Sequence, residues 1–145
     1  MTLPGIFQLT FGKPEKLTPV MLRQTKPAAK ELATLPAISA APFALSSIRT
    51  VLSARGFRIE LPLDADEQIY GLGLQLLSFN QRGLKKTLRV NSDPVVDLGD
   101  SHAPVPFYVS TKGYGVLIDT ARYASFYCGS AIQFIDRQSQ EFDKV

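Results

Sequence analysis

Apolar and polar residues alternate with a period of two along much of this chain, most densely between residues 68 and 129. Such a period sends successive side chains to opposite faces of an extended backbone, so it predicts half-buried β-strands rather than amphipathic helices. Residues 84–90 place Leu84, Lys86, Leu88 and Val90 on one side and Lys85, Thr87 and Arg89 on the other. Residues 47–63 read as a hairpin in which SIRTVLSA and FRIELPL are separated at Arg55 and Gly56. There Phe57, Ile59 and Leu61 alternate with Arg58 and Glu60, which predicts one buried and one wet face. VPFYVS, the turn TKGY and GVLID predict a second hairpin, with Gly113 able to take a positive φ. YASFYC and, at residues 130–135, SAIQFI are further candidate strands.

The first third is less regular. IFQLTF at residues 6–11 predicts a short strand ended by Gly12 and Pro14, and residues 16–23 an extended segment around Pro19. Residues 25–44 read as a connecting arm, in which AAKELATL at 28–35 has the composition for about two helical turns between Pro27 and Pro36. LQLLSFNQRG is ambiguous between strand and loop. Gly71-Leu72-Gly73 lacks the third glycine and the following helix of a dinucleotide site, so a strand bend or a close backbone approach is expected there. Eight or nine short strands and at most one helix predict an all-β fold, an antiparallel β-sandwich.

At 145 residues the chain suits one domain, long enough for a hydrophobic core. Apolar residues make up 45% and charged residues 20%, which argues against wholesale disorder. The net charge of +3 raises the question of nucleic acid, but only Lys85, Lys86 and Arg89 cluster, without interleaved aromatics. They are expected to form a solvated strand face, with neither nucleic acid nor membrane as a partner. One cysteine excludes an intramolecular disulfide. The first residues lack a leader pattern and no run approaches the ~20 apolar residues of a membrane span, so a cytoplasmic location is expected.

Candidate chemistry concentrates in the loop at residues 91–102, with Asn91, Ser92, Asp93, Asp97, Asp100 and His102. Three carboxylates and an imidazole could ligate a metal, but the spacing matches no metal motif. Side chains capping backbone N–H groups in turns, or a carboxylate facing a ligand, are the other readings. Cys128, between aromatics, is expected to be a buried inert thiol, and His102 a hydrogen-bonded loop histidine. Tyr108, Tyr114, Tyr123, Phe126 and Tyr127 could stack on sugars but fit core or cross-strand pairs better.

The succession IYGLG, SFNQRG, NSDP and PFYVSTKGYGVLIDT resembles the amino-terminal domain of family 31 glycoside hydrolases, retaining α-glycosidases and related transglycosidases. FGKPEKLTP, Pro42-Phe43 and RGFRIELPL are similar to that family's opening strands. The resemblance implies a galactose-mutarotase-like β-sandwich over residues 1–145, incomplete at its C-terminal end. It also implies a (β/α)8 catalytic barrel as partner, in cis or as a separate chain, and an α-linked glycoside or oligosaccharide as the full enzyme's ligand. Catalysis in the family uses two barrel aspartates and a covalent glycosyl intermediate. No Asp here matches either, so no catalytic residue, cofactor or metal is expected in this chain. Asp93 stands where the family has a sandwich Asp that binds sugar hydroxyls, whereas Leu74 departs from the Glu that commonly follows YGLG. A free-standing carbohydrate-binding module is the alternative.

Overall fold

The computed structural model describes residues 5–13, 15–22, 34, 36, 40–53, 56–93 and 98–130. They are organised in two compact units, Met1–Asp64 and Ala65–Val145. Among the described residues the only helical element is the single 3-10 turn Leu45–Ser47, and the rest of the regular structure is β. The all-β class read from the alternation is therefore the one observed. No described helix is long and apolar enough to cross a membrane.

In the first unit, strands β1 (Arg49–Ser53) and β2 (Gly56–Glu60) pair antiparallel from Arg49↔Glu60 to Ser53↔Gly56. The expected hairpin is present, and its register places the two connecting positions at 54 and 55 rather than at 55 and 56. The expected division into a buried apolar and a wet polar face is not observed. Phe57 is 54% exposed, while Arg58 and Glu60 are half-buried and joined by an ion pair of 2.9 Å. Residues two apart on a strand share a face, so the opposite charges compensate each other there. The Phe57 ring meets that of Phe11 at 6.0 Å between centroids.

Two strand expectations in this unit are corrected. Residues 6–11 form no strand, since alternation alone does not make one without a partner for the backbone groups. The segment around Pro19 is a turn: the Leu22 N–H donates to the Thr18 carbonyl at 3.1 Å and the Met21 N–H to Thr18 Oγ1 at 3.4 Å. The fixed φ of proline suits the second position of a turn as well as an extended edge. The candidate helix at 28–35 lies outside the described residues apart from Thr34.

The second unit contains β3 (Ile69–Gly73), β4 (Lys85–Val90), β5 (Asp100–Ser101), β6 (Pro104–Ser110), β7 (Tyr114–Leu117) and β8 (Ala124–Tyr127). One sheet has the order β3-β6-β7 and the other β5-β4-β8. All pairs are antiparallel except the two-residue β4–β5 pair, which is parallel. The sheets meet where the Tyr108 ring of β6 stands edge-on to Phe126 of β8, 6.3 Å between centroids. Ile69, Leu72, Leu88 and Cys128 are buried along with Tyr108, while Phe126 is half-buried. Each large apolar side chain fully removed from water contributes about 1.5–3 kcal/mol, so this small set forms the anchor of the unit.

The β6–β7 turn closes as expected, with Ser110 opposite Tyr114 and Gly113 at φ 83°. The two glycines of Gly71-Leu72-Gly73 also act as expected. Pairing passes from Gly71↔Tyr108 to Gly73↔Pro104, so β3 advances two residues while β6 advances four. Leu72, at φ 65°, turns into the core at this irregularity and is fully buried. The ambiguous segment after it is a loop of inverted polarity. Gln75 Nε2 donates to the Leu72 carbonyl at 2.8 Å and Gln81 Nε2 to the Ser78 carbonyl at 2.7 Å, whereas Leu74, Leu76, Leu77 and Phe79 are exposed.

Strand β4 corrects another expectation. Lys85 and Arg89 point outward, Lys85 with its ammonium 5.2 Å from the Tyr127 ring centroid, but Lys86 is fully buried. The alternation had placed Lys86 beside Leu84 and Leu88, and strand phase prevails over the preference of one charged residue for water. Beyond Ser130, the last candidate strand at 130–135 lies outside the described residues.

Candidate functional site

The polar loop leaves the end of β4 and returns through β5 into β6, so a short parallel pair and its side chains set its base. Arg89 lies opposite Asp100, and Val90 opposite Ser101. Arg89 grips Asp100 with both arms of its guanidinium, Nε to Oδ1 at 3.1 Å and a second nitrogen to Oδ2. Asn91 Nδ2 donates to the same Oδ2 at 3.2 Å, and the Asn91 N–H donates to the Ser101 carbonyl at 3.0 Å. Asn91 Oδ1 then accepts the Asp93 N–H at 3.0 Å, the two-residue side-chain turn that Asn favours. The turn reading of this loop is borne out at Asn91.

The Asp93 side chain is left exposed by this arrangement. A carboxylate there can accept hydrogen bonds from two neighbouring hydroxyls. The hydrogen bond from Arg89, and next the one from Asn91, hold the Asp100 carboxyl below its ordinary range. The linked contribution to stability is present above the ordinary carboxylate value and is lost as pH falls through the lower folded one.

Of the other loop residues, Ser92 and His102 are exposed, and Asp97 lies outside the described residues. Among the described residues no three His, Cys, Asp or Glu side chains are placed to hold a metal ion. The role of Arg89 and Asp100 was hidden in the sequence. They are eleven positions apart, and only the β4–β5 pairing brings them together.

Cys128 is buried, and burial pushes its thiol up to about 11, with Lys86 acting weakly in the opposite sense. At pH 8 only about one thiol in a thousand is then the reactive thiolate. An aromatic disulfide reagent is expected to leave the native thiol unmodified and to titrate one thiol per chain in denaturant. Stoichiometric reaction of the folded protein within seconds contradicts this. Among the aromatics considered for sugar stacking, Tyr108 is buried and meets the half-buried Phe126 edge-on, whereas Tyr123 is 78% exposed.

Fold and loop together define the class: a β-sandwich domain that carries a polar loop between β4 and β5. The particular family follows from comparison with known sequences. The glycosyl hydrolase 31 N-terminal galactose mutarotase-like domain matches residues 7–126, and the chain belongs to that family. It is also 36% identical over 73 residues to the α-xylosidase XylQ of Lactiplantibacillus pentosus, a match covering 50% of this chain and 9% of that enzyme. The chain thus spans a small part of the relative it matches.

Proposed function

We propose that this chain is the non-catalytic N-terminal domain of a retaining α-glycosidase, supporting a (β/α)8 barrel and lending Asp93 to the sugar-binding site. The observation that carries the reading is the exposed Asp93 side chain on a turn whose base is held by β4 and β5. A side chain that reaches a ligand on another domain must be both projecting and oriented, and this one is anchored through its own N–H. Chemistry is assigned to the barrel, where both catalytic aspartates of the family reside. The similarity to an α-xylosidase supports α-linked glycosides as the substrate class of the full enzyme.

Replacement of Asp93 by Ala in the enzyme carrying this domain tests the reading. A hydrogen bond to a charged group is worth about 1.5–3 kcal/mol, so KM for an α-linked aryl glycoside should rise roughly tenfold or more with the melting temperature unchanged. Unaltered kinetics remove Asp93 from the site.

A further inference from the structure

We propose that Asn91 and Asp100 are positioning residues for Asp93, with Arg89 as their fixed end. This rests on the reading of Asp93 as a sugar-binding residue and extends it to the groups that set its orientation. The hydrogen bonds form one continuous path. Arg89 Nε donates to Asp100 Oδ1 at 3.1 Å, Asn91 Nδ2 to Asp100 Oδ2 at 3.2 Å, and the Asp93 N–H to Asn91 Oδ1 at 3.0 Å.

Each link limits a different freedom. The two-pronged contact with a planar guanidinium fixes the plane of the Asp100 carboxylate. That carboxylate accepts from Asn91 Nδ2 and so settles which way the Asn91 amide faces. The amide oxygen is thereby aimed at the Asp93 N–H. The Asn91 backbone is held separately, through its N–H on the Ser101 carbonyl at 3.0 Å, so the side-chain path controls orientation rather than attachment.

Exposure along the same path is lowest in its middle, at Asp100. The Arg89 side chain is 58% exposed and that of Asp100 14%, while Asp93 is exposed at the far end. Asp100 is shielded enough to be a fixed acceptor, and Arg89 is open enough to be removed without leaving a cavity. A surface ion pair of this kind contributes little to global stability, so its loss should appear locally, in the order of the turn.

Nitrogen-15 relaxation on the 145-residue chain provides the test. The Asp93 amide should show an order parameter near 0.85 in the parent chain, roughly the value of rigid backbone, and below about 0.6 in Asn91→Ala and Asp100→Ala. Arg89→Ala, which empties no buried space, should lower it in the same direction if Asp100→Ala proves poorly folded. Lys112→Ala removes the Asp66–Lys112 ion pair of 2.8 Å elsewhere on the unit and should change nothing at Asp93.

In the enzyme carrying the domain, Asp100→Ala should raise KM by about fivefold with kcat changed less than twofold. The Asp93→Ala/Asp100→Ala pair should then be no worse than Asp93→Ala alone, because a positioning residue has nothing left to position. An Asp93 amide that stays rigid in both Asn91→Ala and Asp100→Ala, or strict additivity in the kinetic pair, overturns the proposal. If the amide loosens as expected while Asp93→Ala leaves KM unchanged, the positioning path stands and the sugar-binding reading fails.

Discussion

Replacing Gly73 by Ala is expected to unfold the second unit, or to lower its stability by about 3 kcal/mol or more. Gly73 ends β3 at φ 85°, a backbone region that side-chain-bearing residues enter only at a cost of roughly 1–3 kcal/mol. A Cβ there would also lie 2.2 Å from the Ala103 carbonyl oxygen, 2.6 Å from the Val105 nitrogen and 2.8 Å from Pro104 Cα. All three atoms are backbone and none can rotate away, so β3 and β6 would have to separate where Gly73 pairs with Pro104. Leu72 is held in the core by that irregular pairing and would be lost with it.

The comparison that isolates the steric part is Gly113→Ala. Gly113 has φ 83°, yet none of the described residues comes within 4 Å of its hypothetical Cβ. That substitution carries only the conformational cost, roughly the same 1–3 kcal/mol as at Gly73 without the clash. Urea unfolding followed by far-ultraviolet circular dichroism measures both. Equal losses at the two glycines contradict the clash account.

The second large effect is expected from Glu67→Ala, at about 3 kcal/mol. Glu67 is 2% exposed, and one of its carboxylate oxygens accepts hydrogen bonds from both Ser110 Oγ and the Tyr114 hydroxyl. These partners sit at the end of β6 and the start of β7, so a single carboxylate ties the segment preceding β3 to the β6–β7 hairpin. Truncation leaves two hydroxyl donors without that acceptor, each at roughly 1–3 kcal/mol when buried.

The Glu67 carbonyl accepts from Arg82 at 2.9 Å through the backbone and survives the substitution, which keeps the loss tied to the side chain. Glu67→Gln retains an acceptor oxygen of nearly the same shape and should lose about half as much. Ser110→Ala and Tyr114→Phe, combined with Glu67→Ala in a double-mutant cycle, measure the coupling. A coupling near zero would mean that the carboxylate is held by other contacts.

Much of the second unit was legible in the alternation, because a hairpin needs only a turn signal and two runs of the right period. The TKGY turn and strand β4 are of this kind. The alternation did not say which face of β6 would be covered. Val105, Phe107 and Val109 are all apolar, yet they are the exposed set, while Pro104, Pro106, Tyr108 and Ser110 face inward. Both faces are acceptable to the interior, so hydropathy could not choose between them. Position decided, through the Tyr108 contact with Phe126.

The candidate site was legible in the same partial way. Asp93 was reached through the succession of NSDP and the Pro-Phe strand, a resemblance rather than a consequence of charge or spacing. The turn role of Asn91 follows from local chemistry, since its side chain caps an N–H only two residues ahead. The Arg89–Asp100 grip spans eleven positions and depends on closure of a parallel pair, which leaves no local mark.

By itself, then, the chain's order of residues determined the all-β class, the hairpin from β6 to β7, the close approach at the paired glycines and the family. These depend on neighbours within a few positions, or on a succession of motifs that survives reading in one dimension. Tertiary structure alone decided that the phase of β4 outweighs the charge of Lys86 and that residues 6–11 are not a strand. It also decided that Glu67 joins two segments and that Asp93 stands on a path beginning at Arg89. Each of these depends on which strand lies alongside another, and burial and long-range hydrogen bonds exist only once that pairing has been made.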